Sequence, residues 1–274
     1  MTSGRRLNTE KIKAIDEMKA SKDNQLAILT KIKEVIDIPG LTNKERIQLY
    51  GSIRRLRKAC GLKPGDYDAL GCNLLHWAVK SNRVEEVHEL VSKYERSEGD
   101  REQGADMNAL ISIPWNLIRN MTPLWIAAKS GYSNIVLLLL KNQAELLIAP
   151  EEYVSSYLGS GWYTKSTPLV EAYNQEHKEI VKLLEQPTLD AYTKLRHEHP
   201  REYKTTTSVL GLFNKDWGHS KTDKLKAAQA FQVQLAAKDC TQEALEAIEK
   251  SHPAVNDGEL GSIYKTSLGI RRRS

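Results

Sequence analysis

The sequence has few cysteines, and none of them is close to another. Cys60, Cys72 and Cys240 are the only three in 274 residues, and no Cys-x-x-Cys spacing occurs. Structural zinc sites and small disulfide scaffolds need cysteines at short, repeated spacings. Both classes are therefore disfavoured, and three isolated thiols are typical of a protein that works in a reducing cytosol.

Long apolar runs are also missing. The most apolar stretch, residues 135–140, is far shorter than the roughly 18 residues that a helix needs to cross a bilayer. Near the N-terminus, Arg5 and Arg6 are not followed by an apolar segment, so this region does not resemble a cleaved secretory signal. We expect no transmembrane helix and no cleaved signal.

Sequence motifs for common chemistries are absent as well. No GxGxxG, GxxxxGK[S/T], HExxH or GxSxG pattern occurs. His197 and His199 flank Glu198, but side chains two positions apart do not share a helix face, and zinc needs three or four converging ligands. A Cys–His hydrolase could pair Cys72 or Cys240 with a histidine, yet no family signature surrounds either cysteine. We expect no catalytic residue, no metal and no cofactor.

Positive charge is in slight excess, with a formal net charge of +5. Basic residues cluster at 54–58 and again at 271–273. Solvated helix faces explain such clusters, and nucleic-acid binding is the alternative. Because no aromatic residues alternate with the basic ones and acidic residues nearly balance them, we do not expect nucleic-acid binding.

Three segments of the chain resemble one another. They are GCNLLHWAVKSNRVEEVHELV from Gly71, NMTPLWIAAKSGYSNIVLLLL from Asn120 and KSTPLVEAYNQEHKEIVKLLE from Lys165. Leu75, Leu124 and Leu169 fall at the same position of each segment. An internal repeat of this length predicts a stack of similar structural units.

Each segment has the pattern of a short helical hairpin. Thr122 and Thr167 can cap a helix N-terminus, and the proline after each has its φ already set for the first helical position. Gly131 breaks the chain between two helices, and the second helix of each segment carries an apolar stripe at helical spacing. We predict a helix–turn–helix unit in each segment.

The three segments resemble the ankyrin repeat family, whose pattern includes G-x-T-P-L-H-x-A-A-x-x-G. The first copy has Asn73-Leu74 in place of Thr-Pro, and the third has Glu176 in place of the second glycine. The resemblance covers about 120 of the 274 residues. It implies an all-α solenoid of about three repeats that presents a concave surface to a protein partner.

The spacing of the repeats departs from the family. The register leucines are 49 and then 45 residues apart, whereas the family repeats about every 33. Extra residues therefore lie in segments 97–115 and 148–162, where the family has its β-hairpin fingers. We predict two extended fingers.

Exposed aromatic residues are the usual anchors of protein interfaces, and six are candidates for partner contact. They are Trp77, Trp125, Tyr153, Tyr157, Trp162 and Tyr163. The four on the second finger could equally pack back on the repeats. Trp125 stands where the family has histidine and could be structural, as we expect for His76.

The flanking regions are predicted to be helical. We divide the chain into an N-terminal helical cap (1–66), the ankyrin repeats (67–187) and a C-terminal helical domain (188–274). Thr42 and Glu45 have the spacing of a capping box at the start of a basic helix. Pro187 and the polar residues after it mark the end of the repeats.

The C-terminal third resembles small helical domains of ankyrin-repeat effectors that intracellular, Legionella-like bacteria inject into host cells. The cues are GHSKTDKLKAAQAF and GELGSIYKTSLG. The resemblance implies type IV secretion through a disordered C-terminal tail, from the bacterial cytoplasm to the host cytosol, and a monomer that binds a host protein. The alternative is an enzyme whose C-terminal helices act on a recruited substrate, around Asp216, His219 and Asp223; Asp223 more simply favours a helix N-terminus.

Overall fold

The chain divides into two compact units, Met1–Ser166 and Thr167–Ser274. The division falls inside the segment 67–187 that was predicted to be a single repeat region, and the predicted boundaries at 66 and 187 stay predictions. The computed structural model describes residues 2–96, 103–111, 118–155, 161–198, 221–237 and 240–272.

Three helices form the N-terminal part of the first unit: α1 (Thr2–Glu17), α2 (Gln25–Ile36) and α3 (Asn43–Ala59). The predicted capping box is present, because the Thr42 N–H donates to the Glu45 carboxylate (2.7 Å) and the Glu45 N–H donates to the Thr42 hydroxyl (3.3 Å). Apolar side chains pack the three helices together and are almost fully buried: Ile12, Ile15, Ile28, Leu29, Ile32, Leu49, Ile53 and Leu56.

Two helical hairpins follow. The first consists of α4 (Leu74–Lys80) and α5 (Val84–Arg96), and the second of α6 (Pro123–Ser130) and α7 (Ser133–Lys141). Asn73 and Thr122 cap α4 and α6, each accepting a hydrogen bond from a backbone N–H three residues on. α4 packs on α6 and α5 on α7, so the hairpins stack as adjacent repeats do.

The two fingers join in one small antiparallel sheet. β1 (Ile118–Arg119) ends the first finger, and β2 (Glu151–Ser155) and β3 (Gly161–Lys165) form the second. The strand order is β1-β2-β3, so the first finger adds a strand to the second.

Gly104 lies against the end of α5, where a Cβ would approach the Leu90 carbonyl oxygen to 2.5 Å, and this contact requires glycine.

The second unit begins with the third hairpin, α8 (Pro168–Asn174) and α9 (Lys178–Glu198). It continues with α10 (Lys221–Ala236), α11 (Gln242–Ser251), a 3₁₀ turn at Pro253–Asn256 and α12 (Gly258–Arg272). α9 contacts α8, α10 and α12. Its central position explains why the third hairpin groups with the C-terminal helices.

The prediction of an all-α repeat fold with helical flanks is confirmed, and the small finger sheet is the only sheet among the described residues, beside one isolated antiparallel bridge between Ile111 and Met121. One detail differs, because Pro187 lies inside the continuous helix α9 and does not end it. Residues 258–272 form a packed helix in which Leu260 and Ile263 are fully buried, and a C-terminal secretion signal stays a prediction.

Candidate protein-binding surface

His76 fixes the base of the first finger. Its side chain is fully buried, with Nδ1 accepting a hydrogen bond from the Asn73 N–H (3.2 Å). Nε2 therefore carries the proton and donates to the Ala109 carbonyl (3.0 Å). Burial lowers the pKa of His76 to about 3, so the imidazole is neutral near pH 7. This arrangement supports the structural role expected for His76.

A buried ion pair holds the loop that precedes α4. Arg57 Nη1 lies 3.2 Å from Asp68 Oδ2, and the two side chains are 4% and 0% exposed. The other guanidinium nitrogen donates to the carbonyls of Lys63 (2.8 Å) and Asp66 (2.7 Å). Burial lowers the pKa of Arg57, while the Asp68 carboxylate opposes this shift. Arg57 is thus an exception to the prediction that the basic cluster at 54–58 is a solvated face.

Trp77 completes this network. Its indole N–H donates to Asp68 Oδ2 at 2.7 Å, and the residue has no exposed surface. The hydrogen bond satisfies the only polar group of the indole, and the ring fills the space between the elements around it. Trp77 is therefore a packing residue, which corrects the expectation that it faces a partner.

Trp125 is also buried, at 3% exposure. Its indole N–H donates to the Ser166 carbonyl (3.0 Å), and Lys129 Nζ lies 4.8 Å from the ring centroid. The bond links α6 to the residue that follows β3. Trp125 has the structural role that was the alternative in the sequence analysis, and it offers no side-chain surface to a partner.

The second finger carries the other four predicted contact residues. Tyr153 on β2 is the register partner of Tyr163 on β3, and Trp162 is the partner of Val154. Tyr157 lies outside the described residues. The hairpin thus brings Tyr153, Trp162 and Tyr163 into one ladder, and their contact with a partner stays a prediction.

The structure adds an exposed surface that the sequence analysis missed. Tyr67 and Leu110 are 50% and 36% exposed, and the Leu110 backbone lies close to the Tyr67 hydroxyl. The Tyr67 ring lies 6.4 Å from the His76 ring. The sequence feature that could have predicted this surface is an aromatic residue in the turn-like loop LKPGDYDALG. This loop occupies the finger position of the N-terminal cap.

Polar groups connect this pair to the second finger. Asp106 Oδ1 accepts from the Asn108 N–H (2.9 Å), and Asn108 Oδ1 accepts from the Glu145 N–H (2.9 Å). The turn of the first finger is thereby tied to the start of the second. We refer to Tyr67, Asp106, Asn108, Leu110 and Glu145 as the finger-base surface.

The residues considered for chemistry are not brought together by the described structure. His197 and Glu198 are at the end of α9, and Asp223 is in the first turn of α10, as a helix N-terminus favours. His199, Asp216 and His219 lie outside the described residues, so the enzyme alternative stays a prediction. Within the described ranges, no three His, Cys, Asp or Glu side chains are grouped as metal ligands would be.

The cysteines are unpaired thiols within the first and second units. Cys60 and Cys72 are buried, and Cys240 is partly exposed. Burial raises the pKa of the Cys72 thiol to about 12, so the reactive thiolate is scarcely populated near neutral pH. This environment gives no support to Cys72 as a nucleophile.

Comparison with protein families identifies ankyrin repeats within the first unit. The family model described as ankyrin repeats (3 copies) matches residues 47–149, from within α3 to just before β2. A search of curated proteins found no match. Among the described residues, no helix is long and apolar enough to cross a membrane. Ankyrin repeats are protein-interaction modules, so this part of the chain is identified as such a module.

Proposed function

We propose that this chain is a non-enzymatic protein that binds a protein partner through its concave ankyrin side, at the finger-base surface and the second finger. The observation that carries the proposal is the exposure of Tyr67 and Leu110 on a rigid support. An exposed aromatic beside an aliphatic residue, rimmed by Asp106 and Glu145, has the apolar centre and polar edge of an interface.

The hydrogen bonds beneath the surface favour this function. His76 holds the Ala109 carbonyl, and Asn108 holds Glu145, so the two finger bases have little freedom to rearrange. A binding surface that is already ordered loses less conformational entropy on association, which raises affinity without any added contact. The buried network beneath the Tyr67 loop contributes in the same way.

The test is affinity purification followed by a binding measurement with the recovered partner. The Tyr67→Ala/Leu110→Ala variant removes the exposed apolar pair, and Tyr157→Ala/Trp162→Ala removes two aromatics of the second finger. Val233→Ala is the matched control, because Val233 is 75% exposed on α10 in the second unit.

We expect a partner that binds the wild type and the Val233 variant equally and binds the finger-base variant at least about tenfold more weakly. Circular dichroism should show equal helix content in all variants. Equal affinity of the partner for every variant would remove this surface from the proposal.

We further propose that the chain is an effector that acts as a monomer in the host cytosol. The resemblance of GHSKTDKLKAAQAF and GELGSIYKTSLG to effector domains supports this. A calmodulin-dependent adenylate cyclase fused to the N-terminus would report delivery as cyclic AMP in infected cells. We expect cyclic AMP to rise with a strain that has type IV secretion and not with a matched deficient strain. Equal cyclic AMP with the two strains would reject delivery by this route.

The proposed monomeric state is tested separately, by measuring the mass of the purified chain with light scattering.

A further inference from the structure

A cleft in the first unit shares no residue with the finger-base surface. It has a volume of about 560 Å³ and lies between α3, α5 and the loop at residues 61–64. Cavities of about 300–1,000 Å³ are the size that proteins use to enclose a ligand. The proposed function leaves this cleft without an occupant.

Two cations at the edge of the cleft have no ion-pair partner among the described residues, although Arg54 also interacts electrostatically with Glu86 and with Glu89, which lines the cleft. Arg57 is paired with Asp68, and Lys93 is paired with Glu89 at 2.6 Å. No ion pair between described residues involves Arg54 or Lys58, which also line the cleft. The cleft therefore attracts an anionic group through two basic side chains on consecutive turns of α3.

Arg54 is held in position. Its guanidinium lies 5.1 Å from the centroid of the ring of Tyr50, which is 3% exposed and lies one turn earlier on α3. A cation stacked on a buried ring keeps its outward N–H groups available for a carboxylate. Lys58 is one turn further along the helix and exposed.

The floor of the cleft is apolar. Leu62, Pro64, Leu74 and Leu90 line it, and its described lining contains no aromatic residue. Binding of single-stranded nucleic acid relies on aromatic rings against which bases stack, and such rings are missing here. An aliphatic floor beside two cations instead suits a peptide that alternates acidic and aliphatic side chains.

We propose that the cleft between α3 and α5 binds an acidic peptide segment of a partner protein. An aliphatic side chain of the segment lies against Leu74 and Leu90, and its carboxylates pair with Arg54 and Lys58. This docking site is separate from the finger-base surface, so one chain can contact two segments of a partner or two different partners.

The experiment measures fluorescence anisotropy of labelled peptides with the full chain. The probes are a panel of peptides of about ten residues in which leucines alternate with glutamates, a panel with glutamine for glutamate, an all-glutamate peptide and an oligothymidine of similar length. The cleft variant is Arg54→Glu/Lys58→Glu. The control, Lys31→Glu/Lys44→Glu, makes the same change in net charge at two exposed lysines outside the cleft.

We expect acidic leucine peptides to bind the wild type and the control, and to bind the cleft variant at least about tenfold more weakly. Leu62→Gln should weaken the same peptides while leaving the all-glutamate peptide unchanged. Raising NaCl from about 50 to about 300 mM should weaken binding, since exposed charges are screened. The Tyr67→Ala/Leu110→Ala variant should bind these peptides as the wild type does.

Three results would overturn the proposal. The first is that no acidic peptide binds. The second is equal loss in the cleft variant and the control, which would mean attraction by net charge alone. The third is an oligothymidine affinity that matches or exceeds that of the peptides and is lost in the cleft variant, which would indicate a nucleic-acid site.

Discussion

Buried polar side chains determine how the loops of the first unit are held. Arg57 was grouped with its basic neighbours, although it lies four residues after Ile53 and next to Leu56, on the buried face of α3. The helical periodicity of the sequence places residue 57 on the buried face, but an arginine is usually exposed, so Arg57 was predicted to be exposed. The carbonyls that make burial of the charge tolerable come from the following loop, which no sequence pattern specifies.

Removal of the Arg57 charge should lower the free energy of unfolding far more than removal of the Arg55 charge. Arg57→Met leaves Asp68 buried without its cation, and such losses cost about 3–5 kcal/mol. Arg55→Met breaks a surface ion pair with Asp16, worth about 0–1 kcal/mol, and an exposed hydrogen bond to the Asp16 carbonyl. Urea unfolding followed by tryptophan fluorescence measures both. Similar costs for the two variants would mean that the buried pair has no special role.

His76 should make the stability of the first unit depend on pH. Its folded pKa is about 3, below the unfolded value of 6.5, so the unfolded chain binds an extra proton between these values. The contribution of the neutral His76 side chain to the free energy of unfolding is therefore complete above about pH 6.5. It is lost as the pH falls toward the folded pKa, at up to about 1.4 kcal/mol per pH unit.

Urea unfolding at about pH 7 and about pH 5 tests this dependence. His76→Gln should be less stable at neutral pH but should lose less stability on acidification than the wild type. His88→Gln, at an exposed position of α5, should retain the wild-type dependence. An unchanged pH dependence in His76→Gln would argue against a neutral buried imidazole.

At the scale of elements, the hairpins and the location of the fingers could be predicted, because caps, turns and apolar spacing are local. The pairing of β1 with β2 could not, because it joins residues from different inserts. The tight turns are a further case: Gly131, Asn82 and Glu176 all have positive φ, at 77°, 55° and 60°. The left-handed backbone conformation of this turn is thus retained even where Asn82 or Glu176 replaces the glycine that is typical of the family.

The turn of the third hairpin should be stabilised by glycine. A side chain with a left-handed backbone costs about 1–2 kcal/mol, so Glu176→Gly should raise the free energy of unfolding by about 1 kcal/mol. Gly131→Ala should lower it by about the same amount. Thermal unfolding by circular dichroism measures both changes. Destabilisation by Glu176→Gly would indicate that contacts of the glutamate outweigh the backbone strain.

At the scale of the whole molecule, helices group by their contacts and not by repeat similarity alone. The third hairpin carries the repeat pattern but belongs to the second unit. Pro187 suggested a break, because proline inside a helix removes a hydrogen bond and adds a steric conflict. The apolar contacts around Thr188, Leu189 and Tyr192, which are all buried, favour continuation of α9 past the proline.

The first unit should fold without the second. Residues 1–166 contain the Arg57 network, the His76 bond and the complete finger sheet. We expect this fragment to unfold cooperatively in urea and to protect the same backbone amides from hydrogen exchange as in the full chain. A fragment with helical content but no cooperative transition would show that the unit depends on residues after 166.

The burial of Cys72 allows the local opening of the first unit to be timed by thiol labelling. The Cys72 N–H donates to Asp68 and its carbonyl accepts from Arg57, so the thiol can be reached only when that network separates. In a pulse of a thiol-specific alkylating reagent, the partly exposed Cys240 should be modified first, and the delay before Cys72 reacts would time the opening of the loop in the native protein.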